Sequence, residues 1–358
     1  MKRVCVLLVN WNGWGDTIEC LESVLRSEGV TLRAVVCDNG SVDGSPERIL
    51  AWAEGRLDAF APEAGQLRRF SHPPLPKPVS CVEYDREWAE AGGDPALDPP
   101  LVLIRTGANL GFAGGNNVGL RYVLSRGDFD HVWLLNNDTV VEPGAAAALV
   151  ARMASKPSAG MAGSTLLRYD APRRVQARAG GWYCKWLGLP WHLGQLQQAD
   201  DPPRRERVER WMNYVVGASM MVSRPFVEQV GLMGEDYFLY FEETDWAMRA
   251  RGSFTLAYAP DSVVFHKVGR SVGTSSDPRR KSLLCDFFAL RNRLLFTRRY
   301  YRWALPAIYL SVVAALLTRI ACRRWQHAAM AWDLLRGRGG RWEERLLGRR
   351  LSPTGDGP

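Results

Sequence analysis

The run Tyr240-Phe241-Glu242-Glu243-Thr244-Asp245-Trp246 holds the densest group of carboxylates in the chain. Neighbouring carboxylates repel one another, which lifts one pKa towards neutrality and suits that group to take a proton from a hydroxyl. Glu243, Glu242 and Asp245 are the candidates for this work. The same acids at the start of a helix capped by Thr244 would also complement its positive end. Phe238, Tyr240, Phe241 and Trp246 surround the cluster with rings suited to a sugar face, Tyr240 and Trp246 above all. Upstream, Asn136-Asn137-Asp138 closes an apolar run. One carboxylate there suits Mg²⁺ or Mn²⁺, which take one or two carboxylates and fill the shell with substrate phosphate oxygens. A second ligand is needed, and His266, after Val263-Val264-Phe265, is the candidate.

These groups need a frame, and the hydrophobic pattern supplies one. Val4–Val9 reads as a strand buried on both faces. Asp16–Arg26 places Ile18, Leu21, Val24 and Leu25 on one helical face, with Asp16 or Thr17 as cap. Ala34–Cys37 is the next strand, and Ser45–Trp52 a helix with Pro46 at its first position. Alternating strands and helices predict an α/β fold with a mostly parallel sheet. Further strands are expected at Leu101–Arg105, His131–Leu135, Leu256–Tyr258 and Ser262–Phe265. Further helices are expected at Gly115–Ser125, Gly144–Met153, Pro225–Val230 and Thr244–Arg251. Residues 160–216 read as strands and loops. Residues 55–100, rich in Pro, Gly and charge, read as an inserted, partly irregular loop or flap.

In an open parallel sheet, ligands bind at the carboxyl ends of the strands. Here those ends read Asn10-Trp11-Asn12-Gly13, Asp38-Asn39-Gly40-Ser41-Val42-Asp43, the stretch Gly107 to Asn117, and Asn136-Asn137-Asp138. All are rich in hydrogen-bonding groups. No GxGxxG follows the first strand and no GxxxxGK[ST] occurs, which argues against dinucleotide-dependent hydride transfer and against ATP hydrolysis. Seven cysteines without a CxxC pair exclude a zinc ribbon and a disulfide framework.

The net charge of +8 is uneven. Residues 279–350 carry 17 Lys/Arg against 4 Asp/Glu, so the rest of the chain is net acidic. Within that basic segment Trp303–Thr318 is uncharged for 16 residues. Spanning a bilayer takes about 20 apolar residues, so a helix lying on or dipping into the cytoplasmic leaflet is expected, with its flanking arginines on anionic headgroups. A nucleic-acid partner fits poorly with that apolar run. The amino terminus lacks the apolar core and cleavage site of a signal peptide, so a cytoplasmic protein, peripheral on the inner face of the cell membrane, is expected.

Taken together, VNWNG at 9–13, CDNGSVDGS at 37–45, NLGFAGGNN at 109–117, LLNNDTVV at 134–141, FLYFEETDWAMRARG at 238–252 and PDSVVFHKVGRSVG at 260–273 resemble family 2 glycosyltransferases of the GT-A fold, in particular the rhamnosyltransferase-like branch. The resemblance implies a nucleotide-diphosphate-sugar transferase (dTDP- or UDP-linked donor) that inverts the anomeric centre and uses Mg²⁺ or Mn²⁺. The acceptor would be a lipid-linked glycan or a polysaccharide for the cell surface. The GT-A sheet would occupy 1–278, a basic helical membrane-associating segment 279–350, and a disordered tail 351–358. The resemblance places Asn10, Asn12, Asp38, Asn39, Asp43, Asn109, Gly111, Gly114, Asn117, Asn137 and Arg270 around the nucleotide-sugar. Asp138 stands at the end of the family's DxD metal motif, here N-N-D, and His266 at its second metal ligand. Glu243 stands where the family has the Asp of its base motif, one methylene longer. L-rhamnose is the expected sugar, with galactofuranose or glucose as alternatives and a non-catalytic nucleotide-sugar-binding scaffold as the rival class.

Overall fold

The computed structural model describes residues 1–58, 66–268 and 281–351. Arg270 and the tail beyond residue 351 lie outside the described residues, as does the boundary expected at 278. The first half alternates β1 (Arg3–Asn10), α1 (Trp14–Val24), β2 (Thr31–Asp38), α2 (Ser45–Glu54), β3 (Cys81–Asp85), α3 (Arg86–Glu90), β4 (Leu101–Arg105), α4 (Gly111–Arg126), β5 (His131–Asn136), β6 (Thr139–Val141) and α5 (Ala145–Ala154). Then come β7 (Ala159–Arg168), β8 (Val175–Arg178), β9 (Gly180–Cys184), β10 (Leu189–His192), α6 (Arg205–Trp211), β11 (Tyr214–Val215), β12 (Ser219–Ser223), α7 (Arg224–Val230), α8 (Glu242–Arg249) and β13 (Thr255–His266). Four helices follow: α9 (Leu283–Tyr300), α10 (Leu305–Ala321), α11 (Trp325–Leu335) and α12 (Gly340–Leu347).

The main sheet runs β3-β4-β2-β1-β5-β12-β7-β13-β6, with β8 paired to β7. Its first five strands are parallel, while β12 is antiparallel to both β5 and β7. β1 lies between β2 and β5, so the winding direction changes beside it and Asn10 and Asn136 end neighbouring strands. That is the position at which open α/β sheets bind ligands. Val4 to Leu8, Ala34 to Cys37 and Val132 to Leu135 are buried on both faces, as continuous apolar runs require. Burial pushes the thiols of Cys5, Cys20 and Cys37 up to about 12, so they pack as small apolar groups.

Three expectations are corrected here. Within the supposed irregular insert, β3 adds a parallel edge strand to β4, and α3 follows it with the Asp85 carboxylate accepting from the Trp88 N–H at 2.8 Å. Residues 160–216 contain a helix, α6, as well as a separate three-stranded sheet β10-β9-β11. Neither Asp16 nor Thr17 caps α1, which begins at Trp14; Thr17 instead donates its hydroxyl to Asn10 Oδ1 at 2.9 Å.

The basic carboxyl-terminal segment is packed against the sheet domain. Phe287, Phe288, Leu290 and Leu294 of α9 bury with Phe238, Ile308, Met330 and Trp342 in one cluster. Asp286 at the start of α9 binds Arg319 of α10 at 2.8 and 2.5 Å and His327 of α11 at 2.9 Å, tying three helices together. One side of α10 is buried by Ile308 and Val312, while Leu310 and Leu317 on the other are 71% and 59% exposed. Residues Arg302–Ala321 are long and apolar enough to cross a membrane, by length and composition alone.

Candidate active site

A cleft of about 610 Å³ opens at the carboxyl ends of the central strands. Its lining joins sequence segments that are far apart: Asn39 after β2, Asn109 and Gly111 at α4, Asn137 and Asp138 after β5, Glu242 and Glu243 of α8, and His266 ending β13. Beneath it lies a buried polar floor. Asn10 Nδ2 donates to Asp38 Oδ1 at 2.7 Å, and Asn137 Nδ2 donates to Thr17 Oγ1 at 2.9 Å. Asp38 also accepts from the Ser41 N–H, and the Asn12 carbonyl side-chain oxygen accepts from the Val42 N–H. Asn10, Asn12 and Asp38 thus fix the loops after β1 and β2 that form one wall.

His266 and Asp138 meet on β13 and after β5. His266 Nε2 lies 3.1 Å from Asp138 Oδ1 and 3.3 Å from Asn136 Nδ2, while Nδ1 lies 2.9 Å from Gln176 Oε1. In the protonated ring Nε2–H donates to Asp138. In the neutral ring with its proton on Nδ1, held by Gln176, the lone pairs of Nε2 and Asp138 converge, which is the donor set a divalent cation takes. Burial opposes the charge of Asp138, yet the His266 ring and Lys267 outweigh it and hold the carboxyl below its ordinary value. Among the described residues no group of three or more His, Cys, Asp or Glu side chains gathers as a metal site. Two protein ligands fit a Mg²⁺ or Mn²⁺ whose remaining positions go to phosphate oxygens and water.

The same cleft is lined by Glu242 and Glu243. Glu242 is buried, and among the described residues its Oε2 has no hydrogen-bond partner. Burial and the charge of Glu243 push its pKa well above the ordinary carboxylate range. Burial lifts the Glu243 carboxyl to about 7, against backbone hydrogen bonds that favour its charge. The turn leading into α8 holds Phe238, Tyr240 and Phe241 at φ of 60°, 70° and 76°. Left-handed backbone costs about 1–3 kcal/mol per non-glycine residue and persists only where surroundings hold it. Here α9 holds it: Asn292 Nδ2 donates to the carbonyls of Tyr237, Leu239 and Tyr240 at 2.7, 2.8 and 3.0 Å.

Several expected site residues do something else. Asp245 is buried and fully engaged: Tyr300 and Tyr237 donate hydroxyls to Oδ1 at 2.7 and 3.0 Å, Arg299 reaches the same oxygen at 3.0 Å, and Arg249 takes Oδ2. It holds α8 to α9 and does not line the cleft. Trp246 is fully buried against Phe226 with its N–H on the Gly231 carbonyl, so it meets neither sugar nor acceptor. Tyr240 does line the cleft. Asn117 clamps Met233 through both its amide groups, inside the protein. Asp43 Oδ1 accepts from the Ser45 N–H and hydroxyl at the start of α2. Gly111 has φ +77°, and a Cβ there would collide with the Phe238 carbonyl, so its bareness serves the approach of the α8 turn. A Cβ at Gly114 would meet Leu110 at 2.7 Å, again a packing need.

Sequence reasoning missed three contributors. Gln176 orients His266, and Lys281 and Arg293 bring two cations from the carboxyl-terminal segment to the cleft wall. Arg293 Nε is buried and has no hydrogen-bond partner among the described residues. Arg293 sits in a run of arginines that reads as solvated surface, so no local signal marks it.

Comparison with known proteins agrees with this geometry. Residues 91–284 match the family described as glycosyltransferase like family 2. Over 216 residues the chain is 28% identical to the N-acetylglucosaminyl-diphospho-decaprenol L-rhamnosyltransferase of Mycobacterium tuberculosis, covering 55% of this chain and 69% of that one. Over 148 residues it is 29% identical to the low-salt glycan biosynthesis hexosyltransferase Agl10 of Haloferax volcanii, covering 41% of this chain and 45% of the relative's length. Among solved structures, the mannosyltransferase PcManGT from Pyrobaculum calidifontis, in complex with GDP-Man and Mn²⁺, superposes with a TM-score of 0.50 at 16% identity, over 96% of this chain and 87% of that one. GalNAc-T7 with UDP, GalNAc and Mn²⁺ gives 0.50 at 13% identity, over 82% and 50%. With its family match, its sheet order and its cleft at the strand ends, the chain belongs to glycosyltransferase family 2 and has the GT-A fold.

Proposed function

We propose that this chain is an inverting, metal-dependent transferase. It moves a hexose, L-rhamnose in the first instance, from a dTDP- or UDP-linked donor to a hydroxyl of a lipid-linked glycan or polysaccharide. The observation that carries this reading is one cleft lined both by the Asp138–His266 pair and by Glu243, whose carboxyl is lifted to about 7. Glu243 takes the proton from the acceptor hydroxyl as its oxygen attacks the anomeric carbon. The bond from that carbon to the nucleotide diphosphate breaks on the opposite face. Asp138 and His266 would hold a divalent cation, which would supply positive charge against the leaving diphosphate. Lys281 and Arg293 place positive charge where an anionic acceptor such as a lipid diphosphate enters. Rhamnose rests on the mycobacterial relative.

The deciding experiment is a binding and hydrolysis screen of dTDP-rhamnose, UDP-galactofuranose, UDP-glucose and UDP-N-acetylglucosamine, each with and without Mn²⁺. Metal-dependent binding of dTDP-rhamnose alone is the expected result. Selection of another donor replaces the sugar and keeps the chemistry. Binding without hydrolysis or transfer favours the nucleotide-sugar-binding scaffold, and failure of every donor to bind rejects the proposed donor set.

The exposed side of α10 supports a further part of the proposal, peripheral attachment to an anionic cytoplasmic leaflet. Leu310 and Leu317 would enter the interface, with Arg298, Arg302 and Arg323 near headgroups. Replacing both leucines by glutamate is expected to abolish sedimentation with phosphatidylglycerol vesicles while leaving nucleotide binding intact. Undiminished sedimentation rejects α10 as the attaching surface.

A further inference from the structure

The hairpin β9–β10 has two faces with different business. Side chains alternate along a strand. Pro190 and His192 of β10 face the catalytic cleft. Trp191 faces the other way, directly across from Trp182 of β9. Together with Trp211 of α6 these rings line a second groove of about 670 Å³, floored by Leu193 and Val208. Tyr183, on the cleft side, packs on Phe296 and Tyr301 of the α9 region, so the groove opens away from α9 and α10.

Trp182, Trp191 and Trp211 are 41%, 57% and 54% exposed. Among the described residues none of their indole N–H groups has a hydrogen-bond partner, whereas the buried Trp52, Trp133, Trp246 and Trp342 each donate theirs. The charge of the groove is positive. Arg204 and Arg207 line it without a carboxylate partner among the described residues. Beneath them Arg178, 2% exposed, donates to Gln197 Oε1, the Tyr258 hydroxyl and the carbonyls of Gln198 and Asp201. Those neutral acceptors fix the 197–201 loop and leave the charge of Arg178 unneutralised. Asp201 alone supplies an acid to the lining, and its Oδ2 accepts from the Gln198 N–H.

From this groove we infer a second saccharide-binding site, for a glycan that carries carboxylate or phosphate groups. Indole faces receive the C–H face of a pyranose, and their free N–H groups donate to its hydroxyls. The guanidinium groups of Arg204 and Arg207 pair with the acidic substituent. A concave, ring-lined groove fits a saccharide, whereas a bilayer surface is met by a protruding amphipathic face such as the exposed side of α10. Because one strand separates the groove from the catalytic cleft, a glycan bound there sits beside the acceptor entrance. The inference borrows from the transferase reading only in taking that glycan as acceptor; the site itself is tested by binding.

The test uses the full chain, titrated with trigalacturonate, maltotriose and inorganic phosphate, followed by indole fluorescence and calorimetry. Trigalacturonate is expected to bind at least tenfold tighter than maltotriose and phosphate. Trp191→Ala is expected to weaken it tenfold or more, and Arg204→Ala with Arg207→Ala to abolish the preference over maltotriose. Nucleotide affinity stays unchanged in both, which shows that the fold and the catalytic cleft survive. No trigalacturonate binding, binding indifferent to these substitutions, or phosphate binding as tightly overturns the site. So does a loss of anionic-vesicle binding in Trp191→Ala with saccharide binding intact, which would assign the groove to lipid.

Discussion

Glu243→Gln is expected to lower turnover about 10²–10⁴-fold, the usual worth of a positioned general base, while donor affinity holds within about twofold. The substitution keeps size and removes only the ability to take a proton. The pH profile gives a second readout. A base works when deprotonated, and burial lifts Glu243 to about 7. The rate of the unaltered protein therefore rises with pH through about 7 and levels above it; below, the carboxyl is protonated and the rate falls about tenfold per pH unit. The residual activity of Glu243→Gln lacks that limb. Single-turnover measurements from pH 5.5 to 8.5 check both points. A wild-type rate in Glu243→Gln, with the loss appearing in Glu242→Gln, would move the base by one residue to the neighbouring carboxyl.

Asp138→Ala is the second large effect. It removes the sole carboxylate of the Asp138–His266 pair and leaves an imidazole held by Gln176. Divalent cations of this hardness take oxygen ligands, so the expected result is loss of the Mn²⁺-dependent part of donor affinity, about 10–100-fold, with the metal-free affinity unchanged. Calorimetry of the nucleotide with and without Mn²⁺ measures the difference directly. His266→Ala should give a smaller loss of the same kind, because the hard oxygen ligand remains. If Asp138→Ala binds nucleotide with the same metal dependence as the unaltered chain, these two side chains do not hold the cation.

The strand ends that carry the site were legible because each is a local signal. Continuous apolar runs stop abruptly in Asn, Asp and Gly, and the sheet brings those stops together whatever the intervening loops do. The elements that escaped depend on partners distant in sequence. β3 is a five-residue strand whose only main-sheet neighbour among the described residues is β4, and nothing in its alternation separates it from loop. Among the acids of α8, helical rotation decides. Asp245 lies two residues, about 200°, around the helix from Glu243, which turns it towards Arg299. A sequence in which all three acids stand side by side does not show that turn without knowledge of α9. The glycines at 111 and 114 look like room for a nucleotide, yet their neighbours are Phe238 and Leu110.

The bond between Asn292 and the turn before α8 has a consequence for how this chain can be recombined. The acids of α8 and the carboxyl-terminal helices are not exchangeable cassettes. Asn292, Arg291 and Arg299 grip the backbone and side chains of 236–245. A chimera that imported α9 onward from a relative would therefore also need that relative's turn. A junction anywhere between that turn and α9 would part the acids of α8 from the residues that brace them. The practical seam lies upstream of residue 235, so that the turn and its brace travel together.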